Sequence, residues 1–464
     1  MKNMTLTNIA RACGGILSHC PEAAAATEAS GIAIDSRQIT PGMVFVATVG
    51  ERVDGHRFIP DVFARGALAV VCEKLPEAPA GPCIQVADSF KALREIAAFY
   101  RQQLDITVVG ITGSVGKTST KEFIASVLEQ HFDVQKTAGN FNNEVGLPLT
   151  VFSIEDHHQL AVLEMGINTF GEMHRLTEIA RPDVVVMTNI GECHLEFLGD
   201  RDGVLRAKSE IFDCMNPEGH VVVNGDDDKL ITVREVHGKA PLHYGFGQDN
   251  EIRVCDVKDD GLAGSSGRIC LSGFADGKGD WEIPAQIHLP GIHMVYNAMA
   301  AAAVGRLLGV TREEIAAGIA AVQPVGGRSH LIRQEHLTVI DDCYNANPVS
   351  MKAALTLLAS AKGRKVAILG DMGELGSDEL AMHAGVGRFA AESGADLILC
   401  VGRLSEAMYA AAREKGGQAE WFEDMDHILA AIDARILPGD TVLVKASHSM
   451  GFERIVDHLT RENR

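Results

Sequence analysis

The sequence predicts an α/β protein of three domains: a small leading unit, a central, mostly parallel sheet built around a P-loop, and a doubly wound α/β unit at the C-terminal end. Three observations carry that expectation. The 464 residues allow about three domains at roughly 150 residues each. From about residue 88 onward, apolar runs of strand length alternate with segments of helical period, the pattern of a parallel sheet covered on both faces. The alternation restarts near residue 326 with its own strands and no second Gly-Lys loop, so the units are expected at 1–87, 88–325 and 326–464.

In the leading unit the distinctive stretch is Ile34 to Ala47, followed by Gly50 and by Asp54-Gly-His-Arg-Phe58. Asp35-Ser36-Arg37 leaves a strand and enters a Pro-Gly turn, which exposes a hydroxyl and a guanidinium at a loop tip. That pair suits a diphosphate; it equally suits an ordinary solvated turn. Ala78-Pro-Ala-Gly-Pro82 reads as a turn before one more strand at 83–86. Residues 88–104 read as an amphipathic helix leading into the central unit.

The central unit is organised around Gly110-Ile-Thr-Gly-Ser-Val-Gly-Lys-Thr-Ser119, set between an apolar strand and a helical segment. Glycines let backbone N–H groups turn toward phosphate oxygens, and the helix N-terminus adds partial positive charge. In such a loop Lys117 reaches the β- and γ-phosphates and the Thr118 hydroxyl can hold Mg²⁺. The spacing departs from the common form, because Ile111 stands six before the lysine and the glycines fall at 110, 113 and 116.

Strands are expected at 108–111, 160–163, 184–187, 221–223 and 242–244. Open α/β sheets bind ligands past the C-terminal ends of their strands, and two of these ends carry candidate groups. Glu164 closes a hydrophobic strand, where an unpaired carboxylate is costly; a cation beside Thr118 is its natural partner. His194 follows Met187-Thr-Asn-Ile-Gly-Glu-Cys and reads either as a ligand or as a satisfied structural histidine. Lys208, in the next helix, is by default a solvated lysine. The polar loop Asn140 to Gly146 either lines a site or simply turns. Residues 251–290 read as a β excursion with no site signal. Pro290-Gly-Ile-His-Met-Val-Tyr-Asn297 then opens an Ala-rich helix, with His293 and Asn297 on one side of its first turn.

The third unit has expected strands at 338–340, 365–369, 397–401 and 441–444. Its polar strand ends, at 341–348, 370–376 and 445–448, suggest a binding surface. A net charge of −20 and 5% aromatics argue against a nucleic-acid binder. They leave a nucleotide ligand open. Ten cysteines with no Cys-x-x-Cys fit neither a zinc site nor a disulfide scaffold. The first residues are too interrupted for a signal-peptide core, and no apolar run is long enough to span a bilayer. The expectation is a reduced cytoplasmic protein without stable membrane insertion.

Together these stretches resemble the Mur ligases, ATP-dependent amide-forming enzymes of peptidoglycan synthesis. The resemblance covers all three units. Its most specific motifs are Asp342-Cys-Tyr-Asn-Ala-Asn-Pro348 and Leu369-Gly-Asp-Met-Gly-Glu-Leu-Gly376, similar to the member that adds a D-alanyl-D-alanine dipeptide. The member that adds the third residue is expected to carry Asp-Asn-Pro-Arg, which this chain lacks.

The resemblance implies a UDP-sugar contact at Ser36, Arg37, Asp54 and His56. It implies ATP at Gly113, Ser114, Val115, Gly116, Lys117, Thr118 and Ser119, with Asn140, Asn143, His293, Asn297 and Arg328. Mg²⁺ falls to Thr118, Glu164, His194 and a carbamylated Lys208; Lys117 joins the last three as catalytic. Asp342, Tyr344, Asn345 and Asn347 fall on the dipeptide side. Two departures stand out: Met294 replaces an asparagine common beside the histidine, and Ala446 and His448 replace the glycine and arginine of a Lys-Gly-Ser-Arg ending. The implied activity is ATP-dependent joining of D-alanyl-D-alanine to UDP-N-acetylmuramoyl-tripeptide through an acyl phosphate, by a monomer. Another ligase of the superfamily, a P-loop kinase and a non-catalytic nucleotide switch are the competing readings.

Overall fold

The computed structural model describes residues 1–50 and 53–461 and contains three sheets in a mixed α/β architecture. Residues 462–464, which end the third expected unit, lie outside the described residues. The first sheet holds β1 (Ile16–Ser18), β2 (Ile32–Ala33), β3 (Val44–Val46), β4 (Ala69–Cys72) and β5 (Cys83–Gln85) in the order β1-β5-β4-β3-β2. Only β1 runs antiparallel to its neighbour. β3 and β4 are uninterrupted apolar runs, buried throughout, as parallel strands covered on both faces must be.

Asp88 then caps the helix Ser89–Gln102 by accepting from the Lys91 N–H. The helix buries Leu93, Ile96, Ala97 and Tyr100. The Tyr100 hydroxyl donates to the Ile154 carbonyl at 2.6 Å, and Arg101 Nε donates to that of Ala180 at 3.1 Å. One apolar core therefore runs from Val44 and Val46 through Leu93 to Leu147 and Val185, joining the first sheet to one face of the second.

The second sheet has nine strands: β6 (Thr107–Thr112), β7 (Val134–Lys136), β8 (Leu160–Glu164), β9 (Val184–Met187), β10 (His220–Asn224), β11 (Leu242–Gly245), β12 (Ile252–Asp259), β13 (Ser265–Leu271) and β14 (Trp281–Ile287). Their order is β14-β13-β12-β11-β10-β9-β6-β8-β7, parallel from β7 to β12 and antiparallel beyond. The excursion at 251–290 is thus the far edge of the same sheet, and β14 alternates buried with exposed residues, as a strand with one covered face does. The chain leaves β6 toward β7 and β8 and returns on its other side as β9, so the strand order reverses at β6. Such a switch point opens a crevice at the strand ends. Its register sets Ile111 opposite Glu164 and Thr112 opposite Met187.

The other face is covered by the helices Lys117–Leu128 and His293–Leu307. Ala300, Ala301, Ala302 and Ala303 are fully buried in the latter; small side chains let helices lie close together.

The third sheet comprises β15 (His330–Arg333), β16 (Leu337–Asp341), β17 (Lys365–Gly370), β18 (Leu397–Val401), β19 (Ala419–Phe422) and β20 (Asp440–Lys445). The order is β15-β16-β20-β17-β18-β19, with only β15 antiparallel and a separate apolar core on each face. Three edge strands, β7, β15 and β19, are additions to the sequence reading. They are short and mostly half-buried, so no continuous apolar run marks them.

Candidate active site

At the end of β6 the chain enters the glycine loop. Gly113 has φ +149°, and a Cβ there would lie 1.9 Å from Thr188 Oγ1, so only glycine fits. Gly116, with φ +84°, is the left-handed residue from which the helix Lys117–Leu128 starts. The loop is braced by the end of β9. The N–H groups of Ser114 and Val115 donate to the backbone oxygen and Oδ1 of Asn189, both at 3.0 Å. Thr188 Oγ1 donates to the Val115 carbonyl at 2.6 Å, and the Gly191 N–H donates to Ser114 Oγ at 2.8 Å. Asn297, buried in the first turn of the Ala-rich helix, accepts from Thr120 Oγ1 at 2.8 Å and so fixes that helix to the one that follows the loop. Ser119 follows on the same first turn as Lys117 and Thr118. The Thr112 hydroxyl is buried at the mouth of the loop without a hydrogen-bond partner among the described residues.

Costly charges collect here. Lys117 is half-buried and its Nζ donates to the Gly113 carbonyl at 2.9 Å. Burial pushes its ammonium pKa down, while the Glu164 carboxylate pulls the other way. Glu164 is only 1% exposed, and it accepts from Thr118 Oγ1 at 2.8 Å and from Asn142 Nδ2 at 2.7 Å. Two donors satisfy a carboxylate that would otherwise be expensive to bury. Lys208 is also 1% exposed, on the helix Arg201–Ser209, and so is not the solvated lysine of the default reading. Its ammonium makes no ion pair with the described residues. Burial brings its pKa down to about 8, and the charge of Lys117 acts in the same direction. At that value about a tenth of the amine is neutral at pH 7.

His194 opens the turn Leu195–Leu198 in a left-handed conformation, φ +52°. Its Nδ1 lies 2.5 Å from Glu374 Oε2, a residue of the third unit. No group of three or more His, Cys, Asp or Glu side chains able to hold a metal ion occurs among the described residues. Of the four expected metal ligands, the fold brings Thr118 and Glu164 into direct contact. A hydroxyl and a carboxylate are hard oxygen donors, and Mg²⁺ ordinarily takes one or two such ligands plus water and phosphate. The pair fits that ion.

The remaining expected residues divide between exposed tips and local braces. Asp35 accepts from the Arg37 backbone N–H at 2.9 Å and pairs with the exposed Arg37 guanidinium at 2.7 Å, leaving Ser36 in the turn between them. That grip holds the Asp35 carboxyl at about 2, below the ordinary range. His56 places Nδ1 2.6 Å from Asp54, while its Nε2 accepts from the N–H groups of Glu73 at 2.9 Å and Lys74 at 3.2 Å. A ring that accepts two N–H groups at Nε2 is neutral, with its proton on Nδ1. His56 ties its loop to the end of β4.

Asn143 accepts from the N–H groups of Val145 and Gly146 and so braces the turn that enters the helix Gly146–Phe152; Asn140 is exposed. In the third unit Asp342 pairs with the buried Lys445 at 2.6 Å and accepts from the Ser329 N–H. Lys445 also donates to the Asn345 carbonyl at 2.8 Å, and Asn345 Oδ1 accepts from the Ala346 N–H. Asn347 caps the helix Pro348–Ala359. The Arg328 guanidinium sits 4.0 Å from the Tyr344 ring centroid, and His448 stacks at 5.4 Å from the same ring. His293 heads the Ala-rich helix; burial lowers its imidazole pKa and Asp342 opposes that shift.

Sequence reasoning missed Asn142, Thr188, Asn189, Glu374 and Lys445 as individual residues. All five lie in polar stretches at strand ends or in the asparagine loop, which was the one available signal.

Three family models match the chain: the Mur ligase family, catalytic domain, at 28–101; the Mur ligase middle domain at 111–305; and the Mur ligase, glutamate ligase domain, at 327–448. The UDP-N-acetylmuramoyl-tripeptide–D-alanyl-D-alanine ligase of Bacillus subtilis (strain 168) is 36% identical over 467 residues, covering 99% of each chain. The Escherichia coli (strain K12) enzyme of the same name is 35% identical over 428 residues, covering 92% of each. Among solved structures, MurF from Acinetobacter baumannii aligns with a TM-score of 0.88 at 31% identity, covering 98% of this chain and 99% of that one. MurF ligase from Thermotoga maritima in complex with ADP aligns with a TM-score of 0.79 at 28% identity, covering 92% and 96%.

Proposed function

The chain belongs to the Mur ligase family, and on that premise we propose that it joins D-alanyl-D-alanine to UDP-N-acetylmuramoyl-tripeptide at the expense of ATP. The observation that carries this reading is the set of polar and charged groups at the switch point of the central sheet: the half-buried Lys117, the buried Thr118–Glu164 pair and the buried Lys208. Likeness to ligases of that name over 99% of each chain supports the substrates.

A carboxylate and an amine at neutral pH form a salt, because the carboxylate has no leaving group. The tripeptide's terminal carboxylate attacks the γ-phosphorus of ATP, an O–P bond forms, and ADP departs. The neutral amine of the dipeptide then attacks the acyl carbon of the resulting acyl phosphate. Phosphate leaves with the C–O bond electrons, and the amine gives up its proton. The chain's contribution is positioning and charge neutralisation.

Lys117 reaches the β- and γ-phosphates, while the braced glycine loop and its helix N-terminus receive them. Asn140, Asn143, His293, Asn297 and Arg328 border the nucleotide. Thr118 and Glu164, with His194 and a carbamylated Lys208, would hold Mg²⁺, which when bound would supply charge neutralisation on the phosphate oxygens. Carbamylation needs a neutral amine, and a buried lysine titrating at about 8 provides one at ordinary pH. The ammonium first gives up one proton; the neutral nitrogen then bonds to CO₂ and gives up a second, so the buried cation becomes a carbamate anion.

The division of labour follows the three units. Residues 1–87 take the UDP-sugar through Ser36, Arg37 and the Asp54–His56 loop. Residues 88–325 take ATP. Residues 326–464 take the dipeptide near Asp342, Tyr344, Asn345 and Asn347. The enzyme works as a cytoplasmic monomer, in the compartment that holds ATP and UDP-linked precursors. No described helix is long and apolar enough to cross a membrane.

ADP release measured with the UDP-tripeptide, with and without D-alanyl-D-alanine, tests this reading. Turnover is expected only with both, with a product mass equal to the two substrates less one water. A phosphorylated product without amide formation would make the protein a kinase.

A further inference from the structure

The loop from Thr188 to Leu195 touches two units at once. On one side Thr188, Asn189 and Gly191 hold Ser114 and Val115 of the glycine loop. On the other it meets the third unit at three points. His194 Nδ1 lies 2.5 Å from Glu374 Oε2. A Cβ placed on Gly376 would come 3.9 Å from the Leu195 carbonyl carbon, and one on Gly191 3.7 Å from Val349 Cγ2. Both members of the polar contact are non-glycine residues in left-handed backbone conformations, φ +52° at His194 and +61° at Glu374. Two facing loops each carrying an uncommon backbone state at the contacting residue mark a constrained junction. The His194 carboxylate partner is 180 residues away in sequence.

We propose that Glu374 is a positioning residue for the ligase reaction: it docks the third unit onto the loop that braces the glycine loop, and it fixes the tautomer of His194. This rests on the functional reading above. An acceptor carboxylate at Nδ1 holds a proton there and leaves the lone pair of the ring on Nε2. That leaves Nε2 as the ring nitrogen free to accept, and a carboxylate behind a ligating histidine commonly sets ring orientation and basicity. Glu374 belongs to the third unit, so the histidine is correctly set only when that unit is docked. Docking of the dipeptide-bearing unit and readiness of the nucleotide site thereby become one event, which guards an acyl phosphate against formation in an open, wet cleft.

The test compares the wild type with Glu374→Ala and Glu374→Gln. The glutamine keeps an acceptor oxygen without the charge. Expected for Glu374→Ala is a fall in kcat of about 10- to 100-fold, a higher Mg²⁺ requirement, and an unchanged KM for the UDP-tripeptide. Glu374→Gln should fall between the two. Small-angle scattering with ADP and Mg²⁺ supplies a readout independent of turnover: the alanine variant should have the larger radius of gyration. A folded Glu374→Ala protein with wild-type kcat, Mg²⁺ requirement and radius of gyration would overturn the proposal. If Glu374→Ala fails to fold, the same comparison with Glu374→Gln decides, and wild-type values on all three readouts overturn it. Wild-type protein that releases no ADP in response to the dipeptide would instead defeat the functional reading, and the scattering comparison would still judge the docking role of Glu374.

Discussion

The glycine-loop region and the leading unit's loops both offer charged groups to a nucleotide, yet they hold those groups in opposite ways. Beside the half-buried Lys117 the charges are buried, and the structure surrounds them with specific donors or leaves them at a disadvantage: Glu164 has two donors, and Lys208 has no ion pair among the described residues. Around Arg37 the pair with Asp35 is local and open to solvent, and His56 satisfies both ring nitrogens within its own unit. Buried charge is retained against a cost in stability, which points to work done on a ligand. A solvated pair costs little and is compatible with a structural turn. The comparison predicts that losses in the first region fall on chemistry and losses in the second on binding of one substrate.

The largest effect is expected at Lys117. Lys117→Ala removes the point charge at the β/γ-phosphates and should slow turnover on the order of a thousandfold, with folding intact by circular dichroism. Near-normal turnover in the folded variant would dissolve the contrast between the two regions.

Lys208 sharpens it. Lys208→Arg keeps the positive charge but cannot form the same carbamate, so steady-state turnover should be nearly lost. Lys208→Met should also be inactive, yet in CO₂-free buffer at pH 7 it should be more stable, by on the order of 3 kcal/mol. The sign follows from the depressed pKa of about 8 against an ordinary 10.5. Below pH 8 folded and unfolded wild type are both protonated and the burial penalty is full. Between 8 and 10.5 the folded state sheds its proton first, so wild-type stability rises with pH and the gap between the two proteins narrows. Denaturant titration across that range measures it.

In the leading unit, Arg37→Ala should raise KM for the UDP-tripeptide by roughly tenfold, the loss of about one charge-assisted hydrogen bond, and leave KM for ATP unchanged. Equal loss of both would make Arg37 structural. The smallest effect is a titration. Asp35 is held at about 2 chiefly by the Arg37 side chain, so its contribution is present at neutral pH and lost as pH falls through 2. In Arg37→Ala its midpoint should climb toward the ordinary value of about 4, read by carboxyl NMR.

What was legible in the sequence follows the same physics. Central strands such as β9 and β18 are buried end to end, so each is an unbroken apolar run that announces itself, and β8 is one up to its final Glu164. Edge strands are half-covered and lack that mark. At the site, Lys117, Thr118 and Glu164 were legible because strand ends of a parallel sheet converge on one edge. The particular asparagine was not: Asn142 reaches Glu164, while its neighbour Asn143, of identical chemistry, braces its own loop. Nothing in local pattern distinguishes an amide that reaches the buried carboxylate from one that braces its own loop. The contact that crosses units, His194 with Glu374, depends on how sheets are docked, and the one between strand ends of the third sheet, Asp342 with Lys445, on which strands become neighbours; sequence spacing carries no trace of either.

The central claim is that the groups around Lys117 serve amide formation through an acyl phosphate. It is tested most directly by labelling the tripeptide's terminal carboxylate with ¹⁸O and following the isotope through one turnover with ATP and D-alanyl-D-alanine. The carboxylate oxygen that bonds to phosphorus leaves with the phosphate, so the account predicts one labelled oxygen in the inorganic phosphate for each amide formed. Unlabelled phosphate accompanying full amide formation would contradict it.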